Sequence, residues 1–485
     1  MINFDFITLD LFLRENIDFL SGARLQKIQQ PTRQELVFTL RNQGESRKFY
    51  INISPKFFHL CFMSSENEKK RHIEIPKQPP MFCMLLRKYL ESAKIAKVIQ
   101  PKDERILEFY FETYNELSEK IYLCLAIELM GKHSNVILYN YDTNVIIGCM
   151  HNVGAEKSEV REIIGGLPYA YPPKINHKNF TGFSQFLKDD LSVNNTIDNY
   201  FADLQEQEKI KSLKSRLLTI TKTKLRKVDS ALQKVKKQSS SEEKANIYRK
   251  KGDLIMANLY NNKDFSKSID ILDYETNSQL KIDLDETKTL KDNANQFYKL
   301  YNKAKTANLK AQEMTENLNQ EREYLEQVLY SIESAASIDE FAEIDEEVNG
   351  KLGIRNKEQK KEKKVSSRFT LHASPFLTIH HSPFTIYVGK NNKQNDQIVK
   401  LARDEDLWFH VHNCAGSHVL LRVEAGLKVT NDVLFECAKL AKQYSSAKDS
   451  SKVGVIYTQA KNLKKPPAAP LGYVTYKNEK EIIVD

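Results

Sequence analysis

"KIKSLKSRLLTITKTKLRKVDSALQKVKK", residues 209–237, is the stretch that decides the architecture. Its apolar positions Ile210, Leu213, Leu217, Ile220, Val228, Leu232 and Val235 step mostly by three and four, which is the period of a helix with one apolar stripe. A second stripe runs through Leu300, Ala304, Ala307, Ala311, Met314, Leu318, Leu325, Val328 and Ile332. Two such stripes most simply cover each other as an antiparallel coiled coil; two helices packed on a globular body is the other arrangement the pattern allows. Between them, "GDLIMANLY" (252–260) and the strand-like "SQLKIDLDE" (278–286) make a small module at the tip. The expected ranges are 206–244 and 296–350 for the two helices and 245–295 for the module.

Before the coil, residues 1–175 read as mixed α/β. Strand-like runs include "RQELVFTLRN", "RKFYINISP" and "ERILEFYFETYNE", and "HSNVILYNYDTNVIIG" reads as a hairpin turning at Asp142-Thr143-Asn144. "FCMLLRKYLESAKIAKVI" (82–99) places Met84, Leu85, Tyr89, Ile95 and Val98 at helical spacings and is expected to be one helix. "GGLPYAYPP" (165–173) closes the domain with turn formers. After the coil, "NKEQKKEKK" (356–364) has no apolar face, so 351–365 reads as a linker. The last domain, 366–485, alternates strands such as "FTIYVGK" and "VGVIYTQ" with one helix, "NDVLFECAKLAKQYSSAK". No internal repeat is evident.

At 485 residues the chain exceeds what one core organises, and 41% apolar residues suffice to fill several. A net charge of +9 points to a polyanionic partner. The charge is concentrated: residues 209–237 carry eleven Lys or Arg against one acid, Asp229. A face of one sign repels itself unless a polyanion meets it, so Lys222, Lys224, Arg226 and Lys227 are candidate contacts to an RNA or DNA backbone. No run approaches the ~20 apolar residues of a membrane span and the start lacks signal-peptide features, so a cytoplasmic protein is expected. Six scattered cysteines without a CxxC read as reduced, mostly buried thiols.

In "DLWFHVHNCAGSHVLLR" (406–422), Trp408, the sole tryptophan, stands among His410, His412, Cys414, Ser417, His418 and Arg422. On a strand His410, His412 and Cys414 share a face, which permits a zinc site. Packing of Trp408 beside a bend at Gly416, and a recognition surface, are the other readings. Ser417 beside His418 lacks the elbow of an activated nucleophile. Upstream, "VGKNNKQND" (388–396) sets Lys390, Asn391 and Asn392 on a turn whose donors suit phosphate or base contacts, though it is no Walker loop. Downstream, Lys464 and Lys465 precede a proline-fixed loop.

These blocks, with "SSAKDSSKVGVIYT" (445–458) and "KKPPAAPLGYVTY" (464–476), resemble the RNA-binding domain of the NFACT family; "ELMGKHSNVIL" (128–138) resembles the signature of its N-terminal domain. "LDETKTLKDNANQFYKLYNKAK" (284–305) is similar to the family's entry into its second coiled-coil helix. The resemblance covers nearly the whole chain in order. It implies an α+β multidomain protein: a formamidopyrimidine-glycosylase-like α/β NFACT-N domain (1–175), a reduced helix-hairpin-helix region or linker (176–205) with "FTGFSQFLKDDL" as remnant, a long antiparallel coiled coil with a middle module, and an α/β NFACT-R domain (366–485).

The function it implies is ribosome quality control. Bacterial members bind stalled large (50S) ribosomal subunits carrying peptidyl-tRNA, reach towards the stalk base with the coiled coil, and recruit alanyl-tRNA. They support mRNA-independent C-terminal alanine tailing, with an S4-domain protein, RqcP, assisting; the ribosome itself transfers the peptide, so no enzyme, cofactor or metal is expected. Carried over onto this sequence, the family's acid-Arg pair falls on Glu104-Arg105, with Asp103 adjacent as a second candidate carboxylate. Its second tRNA-binding block falls on Glu128, Leu129 and Met130, two of which patterning alone reads as core. The alternatives are a surface fibronectin-binding adhesin, suggested by an older family name, a general RNA-binding protein, and a DNA glycosylase. The last needs an N-terminal proline amine, whereas this sequence opens Met1-Ile2-Asn3.

Overall fold

Two sets of a helix followed by antiparallel strands build the N-terminal part. α1 (Phe6–Leu20) is capped by Asp5, whose carboxylate accepts from the Thr8 N–H at 2.8 Å. It leads into β1 (Arg24–Gln29), β2 (Glu35–Asn42), β3 (Glu45–Asn52) and β4 (His59–Met63), then the short α2 (Ser65–Arg71). α3 (Met81–Leu90) leads likewise into β5 (Lys94–Ile99), β6 (Ile106–Tyr114), β7 (Lys120–Glu128), β8 (Asn135–Asn140) and β9 (Ile146–Cys149). All nine strands form one sheet in the order β4-β3-β2-β1-β5-β6-β7-β8-β9.

The computed structural model describes residues 4–114, 119–156, 158–173, 184–187, 192–238, 241–260, 264–273, 278–351, 376–424, 426–467 and 469–485. The chain divides into two compact units, Met1–Lys209 and Ile210–Asp485.

Within the first unit a helix and four antiparallel strands (6–63) recur as a second helix and four strands (81–140), a duplication that corrects the expectation of no repeat. Reciprocal hydrogen bonds join its halves: Gly22 N–H to Ile95 O at 3.0 Å and Ser92 N–H to Leu25 O at 2.8 Å, then Leu25 N–H to Ala93 O at 3.0 Å and Ile95 N–H to Ala23 O at 2.8 Å. "LSGARLQKIQQP" (20–31) and "LESAKIAKVIQP" (90–101) are the matching sequences. The copies have drifted too far for spacing alone to reveal them.

The same geometry corrects the single helix expected over 82–99. α3 ends at Leu90, and Ile95 and Val98 lie on β5. A bulge between Ile95 and Lys97 adds one residue, so two strand positions on one face stand three apart and imitate a helical step. β1 carries the equivalent bulge between Leu25 and Lys27 and the same burial pattern. The hairpin expected at 142–144 is present between β8 and β9.

One face of the sheet buries Phe12, Phe49, Phe62 and Phe109 with α1 and α3. The other holds Ile106, Cys124, Ala126, Ile137 and Tyr139 beneath Val153, Ile163 and Tyr169. Helix α4 (Val193–Gln238) starts well before the expected residue 206. Its first turns fasten to the first unit through a buried Arg71–Asp198 ion pair of 2.6 Å. Ile197 and Phe201 join the core there, so the later part of 176–205, expected as a reduced helix-hairpin-helix region or linker, is the start of α4. Most of "FTGFSQFLKDDL" lies outside the described residues, but Phe186 is buried against Phe201.

In the second unit the rest of α4 is followed by α5 (Ser241–Ala257), the hairpin β10 (Ser268–Asp273) with β11 (Ser278–Asp283), α6 (Leu290–Ser334) and α7 (Ile338–Lys351). α4 runs antiparallel to the later half of α6, as Lys214 to the Glu333 carbonyl, Lys224 to Glu321 and Asp229 to Arg322 show. α5 packs on the earlier half, where Leu254 and Ile255 meet Leu290 and Ala294. The second helix is not continuous to 350. It ends at Ser334, and Glu340 accepts from the Ala336 N–H at 2.8 Å as α7 begins. Phe341, Ile344 and Val348 of α7 then make a third side to the stripe at Leu217, Val228, Leu325, Val328 and Ile332. Leu300 and Met314, outside that three-sided region, stay exposed.

The C-terminal sheet has the order β12-β13-β15-β14-β16-β17. Its strands are β12 (Leu377–His381), β13 (Phe384–Val388), β14 (Leu407–Val411), β15 (Val419–Arg422), β16 (Val453–Gln459) and β17 (Lys480–Val484). α9 (Asn431–Gln443) covers one face through Val433, Cys437, Ala438 and Ala441. α8 (Asn392–Leu401) covers the other together with Leu463, Val474 and Tyr476, around Trp408, Leu420 and Ile456. The linker expected at 351–365 lies outside the described residues, apart from Lys351.

Candidate nucleic-acid interface

Because β6 starts where its antiparallel neighbour β7 ends, Ile106 pairs with Glu128. The ladder continues one step further, with the Leu129 N–H donating to the Arg105 carbonyl at 2.9 Å. Two blocks separated in sequence, Glu104-Arg105 and Glu128 to Met130, thereby form one corner. Asp103 turns the chain into it with φ 60 and is exposed; Glu104 and Arg105 are half-buried. The Arg105 guanidinium lies 5.7 Å from the centre of the Phe58 ring, and among the described residues it has no hydrogen-bond or ion-pair partner. Burial pulls it below its ordinary value, against the charges of Asp5 and Glu104. A half-desolvated guanidinium with open donors is suited to a phosphate or a base edge.

The second block serves the corner differently from the expectation. Leu129 is fully buried and packs in the core, while Met130 is half-buried at the rim. Glu128 is also fully buried: it pairs with Arg161 and accepts from the Tyr169 hydroxyl at 3.0 Å. Burial raises its pKa, and Arg161 and Tyr169 only partly oppose this. Its carboxylate is satisfied inside the chain, which corrects the expectation of an available acid. Next to it a buried Glu108 accepts from Tyr110 at 2.8 Å and Tyr171 at 2.6 Å, so the sheet behind the corner is braced by paired polar groups.

On α4, Lys222, Arg226 and Lys227 are exposed, whereas Lys224 is half-buried and bonded to Glu321 at 3.1 Å. The basic face therefore has three of the four expected side chains open to solvent.

In the C-terminal domain the structure places most of the singled-out residues in packing. Trp408, Ser417 and His418 are buried, and the Trp408 ring stacks on His410 and meets His418 edge-on at 5.1 Å. Burial, then the neighbouring His410, pushes His418 well below the usual imidazole range. Arg422 is held by Asp406 at 3.3 Å and the Leu401 carbonyl at 3.2 Å. β14 ends at Val411, so the expected alternation fails: His412 pairs with Glu481 and Cys414 sits exposed in the turn. Four of the six thiols, Cys61, Cys83, Cys124 and Cys437, are buried.

The donor turn is occupied as well. The acids of α7 receive it in register: Lys390 on Glu340 at 3.0 Å, Asn391 on Glu343 at 2.7 Å and Asn392 on Glu347 at 2.9 Å. From α6 the Gln327 amide takes both backbone groups of Gly416, accepting from its N–H at 2.8 Å and donating to its carbonyl at 2.6 Å. These residues fasten the domain to the base of the coil, a correction to the reading of Lys390, Asn391 and Asn392 as open donors. Lys465 is paired with Asp396; Lys464 is exposed.

A family model described as the NFACT N-terminal and middle domains matches residues 5–191 and 187–367, and one described as the NFACT protein RNA binding domain matches residues 374–478. The chain belongs to the NFACT family. It is 27% identical to the Rqc2 homolog RqcH of Bacillus subtilis over 96% of this chain and 95% of that protein. It is 29% identical to the RqcH of Streptococcus suis over 97% and 95%. A solved structure of the N-terminal part of the fibronectin/fibrinogen-binding protein of Streptococcus suis is 35% identical, covering 36% of this chain and 62% of that one with a TM-score of 0.33. NFACT membership and the RNA-binding domain support a role in ribosome quality control. None of the described helices of this NFACT chain is long and apolar enough to cross a membrane.

Sequence reasoning missed the Phe58 ring beside Arg105 and the exposure of Lys132 and His133 on the turn after Met130. Lys132 and His133 sat inside the quoted NFACT-N signature, and their exposure on a single 3₁₀ turn, Gly131–His133, was not visible there. Phe58 lies in the other copy of the duplication, so its proximity is purely tertiary.

Proposed function

We propose that this protein acts in ribosome quality control as a binder of stalled large ribosomal subunits that carry peptidyl-tRNA. It recruits charged tRNA, alanyl-tRNA as in bacterial members of the family, and directs untemplated alanines onto the C-terminus of the stalled chain, which marks that chain for degradation. The peptide bond is formed by the ribosome, and an S4-domain protein of the RqcP type assists. The observation that supports this reading is the Arg105 corner: one backbone hydrogen bond unites the two blocks that the family resemblance assigns to tRNA and leaves the guanidinium without a hydrogen-bond partner among the described residues. The exposed Lys222, Arg226 and Lys227 face supplies the contact to ribosomal RNA, whose strength falls steeply with salt. Mass analysis of chains released from stalled ribosomes tests the reading. Cells with this protein should yield C-terminal alanine extensions and cells without it none; identical termini in both contradict it.

A further inference from the structure

The sheet of the first unit buries one face against α1 and α3, and its second face is covered towards the two ends. At the β3–β4 end Tyr50 packs against the Arg71 guanidinium, 4.8 Å from its ring centre, and Cys61 against Asp198. At the β6–β9 end Cys124 and Tyr139 lie beneath Ile163 and Tyr169. Between these ends the face belongs to β2, β1 and β5. Arg41 stands directly opposite Arg24, and Arg24 directly opposite Lys94. Residues opposite each other in a ladder share a face, so three cations form one row across three strands. Lys27 is opposite Thr39 and Lys97 opposite Tyr110. Thr39 is two residues from Arg41, and Tyr110 two from Glu112, the partner of Lys94, so Lys27 and Lys97 join the same face.

All five side chains are exposed, and among the described residues none of them pairs with a carboxylate. Arg24 donates to the Ser92 carbonyl at 3.4 Å. The next acid along the row, Glu112, is taken by Lys120 at 3.0 Å. Like charges directly opposite each other destabilise a sheet, whereas alternating signs would stabilise it. Lysines that guard against aggregation belong on edge strands, and β1 and β5 are central to the nine strands. A row that lowers the stability of its own fold suits a polyanion. It offers no apolar anchor of the kind a protein partner needs at an interface core, and no ring between Arg41 and Lys94 on which a loose base could stack. A backbone of regularly spaced phosphates needs neither.

We propose that the face bearing Arg24, Lys27, Arg41, Lys94 and Lys97 is a docking surface for the phosphate backbone of double-helical RNA. The choice of RNA rests on the proposed function; the surface is separate from the Arg105 corner and from α4. Filter binding of a blunt RNA duplex to the full chain across a salt series tests it, with a thermal melt of each variant. Arg24→Gln, Arg41→Gln and Lys94→Gln together weaken binding at low salt about ten-fold or more and lower the salt slope by about two to three. Melting stays level or rises, because the repulsion within the row is gone. Arg24→Glu, which sets an acid between two cations, melts higher and binds less; Arg24→Lys binds as the natural chain does. If the triple variant holds the duplex as the natural chain does, or if its loss follows a lower melting temperature, the surface is wrong. Alanine extensions in cells report on the proposed function separately: their absence with the natural chain contradicts that function, while loss of duplex binding in the triple variant would still assign the surface.

Discussion

The Leu129 N–H donates to the Arg105 carbonyl at 2.9 Å, and this bond makes one corner of two segments that the sequence separates. Backbone holds Arg105 in place while its side chain has no hydrogen-bond or ion-pair partner among the described residues, only the Phe58 ring, so removing that side chain should leave the fold intact. Glu104→Ala with Arg105→Ala should abolish alanine tailing and leave co-sedimentation with large subunits largely unchanged. Parallel loss of both activities, read on the same gradients, would refute that division of labour.

Glu128 should behave in the opposite way. Breaking a buried pair by removing one partner costs about 3–5 kcal/mol, and the Glu128 side chain is fully buried against Arg161. Glu128→Ala is expected to lower thermal stability and tRNA binding together. A variant with natural stability and lost tRNA binding would mean that Glu128 touches the RNA after all.

The basic face of α4 separates into charges that can meet RNA and one that cannot. Lys222→Glu, Arg226→Glu and Lys227→Glu together should weaken subunit binding and flatten its salt dependence with little change in melting. Lys224→Glu would instead oppose Glu321 across the coil and lower stability. Equal effects of the two variants on sedimentation, with both melting alike, would count against α4 as an RNA contact.

His59 predicts an acid-sensitive first unit. It is buried flat on Phe201 at 3.9 Å, and burial, then the Arg71 charge, holds it well below its ordinary 6.5 although the Phe57 carbonyl pulls the other way. The unfolded chain takes up this proton as pH falls through about 6.5 and the folded chain resists it. The contribution is therefore complete above pH 6.5 and is lost progressively below. His59→Phe should shrink the drop in melting temperature between pH 7.5 and about 5.5; an undiminished drop would assign the sensitivity elsewhere.

The coil and the α/β character of both ends were legible because periodicity reports the buried face directly, as at Leu217, Val228 and Leu325. Periodicity failed where geometry altered the count: the bulge in β5 disguised Ile95 and Val98 as helix. Composition showed that the turn at Lys390 to Asn392 was rich in donors, and only the fold shows the acids Glu340, Glu343 and Glu347 arriving from α7 to take them. Similarly, Arg105 was legible through a motif, while Phe58 reaches it through a duplication whose copies share few residues.

RNA is the partner on which the proposed function rests. The most direct measurement is the sedimentation of the full chain from cells at low ionic strength, with sequencing of the RNA in its fractions. Migration with large subunits that carry tRNA, reversed by raising the salt, is the predicted result. A chain that runs free of both ribosomal RNA and tRNA would contradict it.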